Sequence, residues 1–163
     1  MKNTITSIFD MNIKPEYLFI HLDAADNMDA IKQMAVNLAK QGVVKNSFIP
    51  AVLERERIFS TGLQFDETGI AIPHTDTQHI NSSAISIAIL KKPVTFQAMG
   101  MPDSKVNVEI IFMLAIKTAH GHIKFLQTLM NQLQNKVILH NLINSTSKKL
   151  LINNFKSLFN KEN

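Results

Sequence analysis

A histidine directly follows a proline at the end of a short apolar segment, and this is the feature of the sequence that most suggests chemistry. Residues 69–72 (GIAI) favour a buried β-strand. Pro73 is predicted to end that strand, because proline lacks a backbone N–H and has a fixed φ. His74 should therefore stand where a sheet edge meets a loop. A neutral imidazole there has a nitrogen lone pair for nucleophilic attack, so His74 is the candidate nucleophile.

Other histidines offer alternative chemistry. His120 and His122 lie between a predicted strand and a predicted helix. Open α/β sheets place ligand sites at such junctions, and the free N–H groups of a helix start suit an anion. His122 also begins an apolar stripe at helical spacing, which favours a packing role. His21 and His140 are interpreted as packed or exposed side chains of a strand and a helix.

A metal centre is the main competing use of these side chains. His74, His79, His120, His122 and Asp76 are all potential zinc ligands. Their spacing matches no closed metal-ligand motif. A Gly-x-Ser-x-Gly nucleophile motif and a glycine-rich phosphate loop are also missing from the sequence, so neither a serine-type triad nor ATP binding is indicated.

Composition limits the class of protein further. The 163 residues are 45% hydrophobic and 18% charged, as expected for one globular domain spanning 1–163. Without cysteine, the chain has no disulfides or thiolate chemistry. Apolar segments are too short for a signal sequence or a membrane span, which favours a cytoplasmic protein without direct membrane insertion.

The net charge of +4 does not indicate nucleic-acid binding. Residues 1–134 contain 12 basic and 12 acidic side chains, and the excess comes from lysines spread over 136–161. Nucleic-acid surfaces usually combine a dense basic face with aromatic or arginine side chains. A solvated helix face explains these lysines better.

Hydrophobic spacing predicts alternating strands and helices around the candidate residues. The predicted strands are 17–22, 69–72, 84–90, a short edge strand at 94–96, and 106–116. The predicted helices run from Asp26 or Asn27 to just before Gly42, from Asn46 through the charged segment 54–57, and over 118–134, 137–143 and 147–159. Loops are expected at 60–62 and 97–104, and residues 91–93 (KKP) are expected to end the 84–90 strand. The pattern predicts one α/β domain.

Three ordered blocks of sequence carry a resemblance to a known family. They are 54–63, containing ERE and STGL; 69–76 (GIAIPHTD); and 112–123, containing FMLAI and HGHI. Together they resemble the phosphorylation-site region of fructose/mannitol-type (type 2) enzyme IIA domains. These domains belong to the bacterial phosphoenolpyruvate-dependent sugar phosphotransferase system (PTS). The STGL segment, His79 and the segment 94–100 make the galactitol-type branch the nearest match.

The resemblance implies a fold, an activity and partners. The fold is a single α/β domain with a central mixed β-sheet flanked by helices on both sides. The activity is that of a phosphotransferase with a phosphohistidine intermediate and without a cofactor. His74 would accept a phosphoryl group from phospho-HPr and pass it to a cysteine of the IIB domain or subunit. A regulatory nitrogen-type paralogue that switches a protein partner is the alternative, and a metal-dependent hydrolase is a third.

The resemblance also assigns roles to residues around His74. Arg55 would stabilise phosphoryl charge, because guanidinium offers a bidentate fork that lysine lacks. His122 would hydrogen-bond the phosphoryl group or orient His74, with His120 as the competing second histidine. Further candidates are Thr61 as a hydroxyl donor to phosphate, Glu56 beside Arg55, and Thr75 and Asp76 as residues that orient the imidazole.

Overall fold

A computed structural model describes residues 6–118 and 122–160, which form one mixed β-sheet covered by helices. The strands are β1 Thr6–Ile8, β2 Met11–Ile13, β3 Leu18–Leu22, β4 Gly62–Phe65, β5 Thr68–Ala71, β6 Ala84–Ala98 and β7 Met101–Ala115. The helices are α1 Asn27–Lys40, α2 Phe48–Ile58, α3 Ile123–Leu133, α4 Lys136–Ile143 and α5 Lys148–Ser157. Two short 3-10 turns occupy Pro15–Tyr17 and Thr77–His79.

The long antiparallel pair β6–β7 is the centre of the sheet. β2 and β3 both pair in parallel with β6, and β5 pairs in parallel with β7. β1 adds to β2, and β4 adds to β5, in antiparallel fashion. Parallel and antiparallel pairs therefore coexist, which confirms the mixed sheet that was expected.

The central strands bury both of their faces. Successive β7 residues alternate between two apolar clusters, as the period of two requires. Ile111 and Met113 pack with Met34 and Phe48 of α1 and α2. Ile110 and Phe112 pack on the opposite face with the helices α3, α4 and α5. The predicted α/β domain with helices on both sides of the sheet is confirmed.

Side-chain caps fix several helix starts. The Asp26 carboxylate accepts from Asp29 N at 2.8 Å, and Asn135 and Ser147 cap α4 and α5 in the same way. Gly42 follows α1 with a φ of 77°, which suits glycine. Within the described residues, no helix is long and apolar enough to cross a membrane.

The prediction that residues 91–93 end a strand was wrong, as was the loop predicted at 97–104. β6 continues through Pro93 to Ala98, and a tight turn with Gly100 at a φ of 73° leads directly into β7. The β6–β7 register shifts between Ile89 and Val94. Such an irregularity accommodates Pro93, because a residue at a register shift need not donate a backbone hydrogen bond to the neighbouring strand.

The loop predicted to lead from 60–62 to His74 is a β-hairpin. β4 begins at Gly62 and pairs with β5, so that Gly62 lies opposite Ala71. Gly69 of this hairpin lies so close to β7 that a Cβ would come within 2.2 Å of the Asn107 carbonyl oxygen. The hairpin is thus held tightly on β7, and His74 follows it at the end of the sheet.

Candidate active site

His74 lies at the edge of the sheet where the parallel strands β5 and β7 both end. The strand before it ends at Ala71, and Leu114 N donates to the Pro73 carbonyl at 3.0 Å, which ties this segment to β7. β7 then leads toward His122, the N-cap residue of α3. Carboxyl ends of parallel strands meet at one edge, where such sheets bind ligands. The predicted position of His74, at a strand end, is confirmed.

The His74 ring is held in one tautomer by its own backbone. Its Nδ1 lies 2.9 Å from the carbonyl oxygen of Ile72. A carbonyl only accepts hydrogen bonds, so Nδ1 must carry the proton. In the neutral ring the lone pair is then on Nε2. The half-buried His74 thus has a defined nucleophilic atom, Nε2, and a defined ring orientation.

Thr61 and Glu56 support the segment that carries His74. Glu56, in the last turn of α2, is only 3% exposed. Its carboxylate accepts from Thr61 N at 2.8 Å and from Thr61 Oγ1 at 2.9 Å. Thr61 Oγ1 in turn accepts from Ile72 N at 3.2 Å. Burial raises the pKa of Glu56 to about 7, against the lowering effect of its two bonds to Thr61.

Arg55 places a cation close to the histidine segment. One guanidinium nitrogen lies 3.9 Å from the Asp76 carboxylate, two residues beyond His74, and the group lies over the Phe59 ring with its carbon 4.8 Å from the ring centre. Its buried Nε has no hydrogen-bond partner among residues 6–118 and 122–160. The side chain is 37% exposed, so donors remain available for an anion.

Arg57 is engaged differently. It pairs with Glu54 on the exposed side of α2. The segment 54–57 therefore divides into an outer ion pair and an inner pair of residues, Arg55 and Glu56. Helical spacing explains this division, because Glu54 and Arg57 are three residues apart and share one side of the helix.

His122 is buried at the start of α3 with its polar atoms unused. It is 5% exposed, and neither ring nitrogen has a hydrogen-bond partner in the part of the chain that the structure describes. Its carbonyl oxygen accepts from Leu126 N in the first turn of α3. A buried imidazole without a partner is costly, and such groups are typical of sites completed by a ligand.

The other candidate residues divide between the site and its surroundings. Asp76 is 70% exposed and lies 3.9 Å from the Arg55 guanidinium. Thr75 is half-buried next to His74. His120 lies outside the described residues.

The histidine and carboxylate set considered for zinc does not assemble within the described ranges. His79 Nδ1 bonds the Ser47 hydroxyl at 2.8 Å instead. Over 6–118 and 122–160, no group of three or more His, Asp or Glu side chains converges as metal ligands would.

Two contacts at this site were not predicted from sequence patterns. The Ile72 carbonyl, which orients His74, is a main-chain group without a side-chain signature. The Thr61 hydroxyl, expected to face phosphate, is bonded to Glu56 and to the Ile72 amide. The burial of Glu56 within an otherwise charged helix turn is visible only once α2 is packed on the sheet.

Comparison with known families gives a match over most of the chain. Residues 11–157 match the family described as "Phosphoenolpyruvate-dependent sugar phosphotransferase system, EIIA 2". This range includes all of α1 to α5 and the whole edge at which His74 lies.

Curated relatives of known name are similar over about three quarters of the chain. The galactitol-specific EIIA component of the phosphotransferase system from Escherichia coli O6:H1 is 30% identical over 118 residues, which are 72% of this chain and 78% of that protein. The multiphosphoryl transfer protein of Shigella flexneri is 37% identical over 126 residues, 74% of this chain. The match spans only 14% of that much longer relative.

A solved structure has the same fold. The complex of mannitol enzyme IIA and phosphorylated enzyme IIB from Escherichia coli matches with a TM-score of 0.73 at 21% identity, covering 89% of this chain and 97% of the matched one. At this identity the likeness establishes the fold.

Proposed function

Because the chain belongs to the EIIA type 2 family of the phosphoenolpyruvate-dependent sugar phosphotransferase system, we propose that it is a phosphoryl carrier for sugar uptake, with His74 as the carrier residue. The observation that supports this most is the Nδ1 contact of His74 with the Ile72 carbonyl. It leaves Nε2 as the free nucleophile. Arg55 pairs with Asp76, two residues beyond His74, and His122 is the N-cap residue of the helix that follows β7. Both have buried ring or guanidinium nitrogens without a partner among the described residues.

The proposed transfer needs no atom beyond donor and acceptor. The His74 Nε2 lone pair attacks phosphorus while the phosphorus–nitrogen bond of the donor's phosphohistidine breaks, and the donor ring keeps that electron pair. In the second transfer, a thiolate of the acceptor attacks the phosphorus, and the bond to Nε2 returns its electrons to the His74 ring. Negative charge spreads over the three equatorial oxygens during both steps.

Arg55 and His122 are proposed to stabilise that charge. Guanidinium N–H groups form bidentate bonds with phosphoryl oxygens, and an imidazole N–H of His122 would supply a further donor. The N-terminus of α3 adds free backbone N–H groups with a favourable dipole. All of these donors are set before the reaction, which is how enzymes stabilise developing charge without reorganisation.

The proposed partners are phospho-HPr as donor and a IIB domain or subunit as acceptor, and both would meet the chain in the cytoplasm. Two relatives support the IIB assignment. One is the galactitol-specific EIIA component, most of whose length is matched, and the other is the mannitol enzyme IIA, solved with phosphorylated enzyme IIB. They favour transport over the regulatory alternative. We also propose that residues 1–163 make up a single domain of this kind.

Phosphorylation by a reconstituted system tests the proposal. Incubation with phosphoenolpyruvate, enzyme I and HPr should label the wild type with an acid-labile, base-stable phosphoryl group, as phosphohistidine requires. His74→Ala should abolish the label. His79→Ala is the matched control, since its Nδ1 also has a hydrogen-bond partner, the Ser47 hydroxyl, and it should be labelled normally.

A label that survives in His74→Ala would defeat the assignment of the carrier residue. A second assay separates transport from regulation. It measures whether labelled wild type transfers its phosphoryl group to a purified IIB protein. A label that never leaves for any IIB cysteine would favour the regulatory role.

A further inference from the structure

A continuous chain of hydrogen bonds links the buried carboxylate of Glu56 to the His74 ring. Glu56 bonds both the amide and the hydroxyl of Thr61, at 2.8 and 2.9 Å. Thr61 Oγ1 accepts from the amide of Ile72 at 3.2 Å, and the carbonyl of Ile72 accepts from His74 Nδ1 at 2.9 Å. Ile72 lies just beyond the last residue of β5, where the β4–β5 ladder has ended. The Ile72 amide is therefore bonded by the Thr61 side chain instead of by a neighbouring strand.

The protons in this chain can be placed in only one complete way. Three donors point inward: the Thr61 amide, the Thr61 hydroxyl and the Ile72 amide. An ionised Glu56 has two oxygens for the first two donors, and the hydroxyl oxygen then accepts the third. A protonated Glu56 would bring a fourth donor to the same acceptors. The added carboxyl proton would either face the Thr61 amide proton or bond to Thr61 Oγ1. In the second case the Thr61 hydroxyl proton would have no acceptor on Glu56.

We propose that Glu56 is a positioning residue for phosphoryl transfer: its ionised carboxylate, acting through Thr61, fixes the Ile72 peptide that holds His74 in the Nδ1–H tautomer. This inference rests on the proposed function of His74 and adds a pH-dependent regulation of that function. Glu56 touches neither the phosphoryl group nor the imidazole. Protonation of Glu56 loosens the Thr61–Ile72 contact and allows the His74 ring to leave its reactive orientation.

Glu56 changes between its protonated and ionised forms near neutral pH, because burial raises its pKa to about 7. Charged groups around Glu56 are Arg55 and Arg57 on its own helix and Lys105 of β7, which lines the same groove. β6 contributes only the uncharged Thr95, Phe96 and Gln97 to that groove, and α1 contributes Asn27 and Met28.

The test compares full-length wild type with Glu56→Gln at several pH values, using phospho-HPr as donor. Glutamine keeps the shape of the side chain and brings N–H donors where the carboxylate accepted. At pH 8 the variant should be phosphorylated about tenfold more slowly, a loss of the size found when the residues that orient metal ligands are replaced. The rate ratio of wild type to variant should approach one at pH 6. Taking the ratio removes any effect of pH that the two proteins share.

A second readout does not depend on phosphorylation. Long-range ¹H–¹⁵N NMR at pH 8 reports which ring nitrogen of His74 carries the proton. The wild type should be predominantly Nδ1–H, and Glu56→Gln should show a clear loss of that preference. If wild type were not labelled by phospho-HPr, the proposed function would fail, but this measurement would still decide the role of Glu56.

Matched variants separate positioning from general loss of structure. Glu54→Gln removes the exposed carboxylate on the same helix and should behave as wild type in both readouts. Thr61→Val removes the hydroxyl link and should reproduce the Glu56→Gln tautomer change, whereas Thr61→Ser, which keeps the hydroxyl, should restore it. The Thr61 pair tests the link even if Glu56→Gln does not fold, because an unchanged His74 tautomer in Thr61→Val would overturn the proposal. A rate ratio near one at pH 8 with an unchanged His74 tautomer would overturn the proposal.

Discussion

The two sides of the candidate site treat their polar groups in opposite ways. The α2–β5 side (Glu56, Thr61, Ile72 and His74) is joined by hydrogen bonds within the chain. Arg55, on the same helix as Glu56, differs, because its buried Nε has no partner among the described residues. The α3 side presents His122, buried with both ring nitrogens unpartnered among the described residues. The first side makes its hydrogen bonds within the chain, and the second has ring nitrogens left for a further group. We interpret the first as holding the nucleophile and the second as awaiting the phosphoryl group.

This difference has an energetic consequence. Satisfied buried bonds stabilise a fold modestly, whereas unsatisfied buried groups cost more than a bond gains. The α2–β5 side should therefore contribute to stability as well as to transfer. The α3 side should contribute to transfer at the expense of stability, as is common for functional groups. Substitutions on the two sides should accordingly change stability in opposite directions.

The largest expected effect is the pH dependence of stability caused by Glu56. Its pKa is about 7 in the fold against an ordinary value of 4.5, so between these values the unfolded chain holds fewer protons. Stability from this group is complete below pH 4.5 and is lost as the pH rises through 7, by about 3 kcal/mol in total. Urea unfolding of wild type and Glu56→Gln from pH 4.5 to 8 measures it. Parallel pH profiles in the two proteins would show that Glu56 has no raised pKa.

Removal of the Thr61 hydroxyl should be the next largest effect. Thr61→Val leaves the Ile72 amide and the Glu56 carboxylate each short of a partner, so the free energy of unfolding should fall by about 2 kcal/mol. Chemical denaturation at pH 8 measures the loss, with Thr75→Val as a control for a neighbouring half-buried threonine. Equal stability of Thr61→Val and wild type would mean that the hydrogen bonds of Thr61 contribute nothing.

Arg55→Lys should slow phosphoryl transfer about tenfold while leaving stability nearly unchanged, because a single ammonium replaces a bidentate fork. Its ion pair with Asp76 spans 3.9 Å and is exposed, so it adds little to the fold. A time course of phosphorylation by phospho-HPr, with quenched samples, measures the rate. Arg57→Lys, on the outer ion pair, serves as the control, and equal slowing of both variants would count against a specific role for Arg55.

The smallest effect, and the one of opposite sign, is expected at His122. His122→Leu replaces an unpartnered buried ring with an apolar side chain of similar size, so the free energy of unfolding should rise by about 1 kcal/mol. Phosphoryl transfer should fall at the same time. Denaturation together with the phosphorylation assay tests both halves. A loss of stability with normal transfer would return His122 to a packing role.

Much of the architecture follows from local sequence. The apolar period gave the helices α1, α4 and α5 nearly to their ends, and the apolar segment before Pro73 gave the strand that positions His74. The sequence did not indicate that β6 passes through Pro93. Proline usually ends strands, and only the long pairing with β7 and its register shift accommodate it here.

The site was predictable in its residue types more than in its connections. Proline followed by histidine at a strand end marks His74 because the chemistry and the local geometry lie in adjacent residues. Glu56 and Thr61 are five residues apart, and their pairing depends on how α2 packs against the β4–β5 hairpin. The apolar stripe that His122 begins favoured a packing role, but that its ring is buried without a hydrogen-bond partner among the described residues depends on how α3 packs.

The most direct test of the account is to determine which atom carries the phosphoryl group. Uniformly ¹⁵N-labelled protein, phosphorylated through HPr, should show phosphorus coupled to Nε2 of His74, with Nδ1 still protonated and bonded to the Ile72 carbonyl. A phosphoryl group on Nδ1 of His74, or on another residue, would contradict the assignment of a pre-oriented His74 Nε2 as the nucleophile.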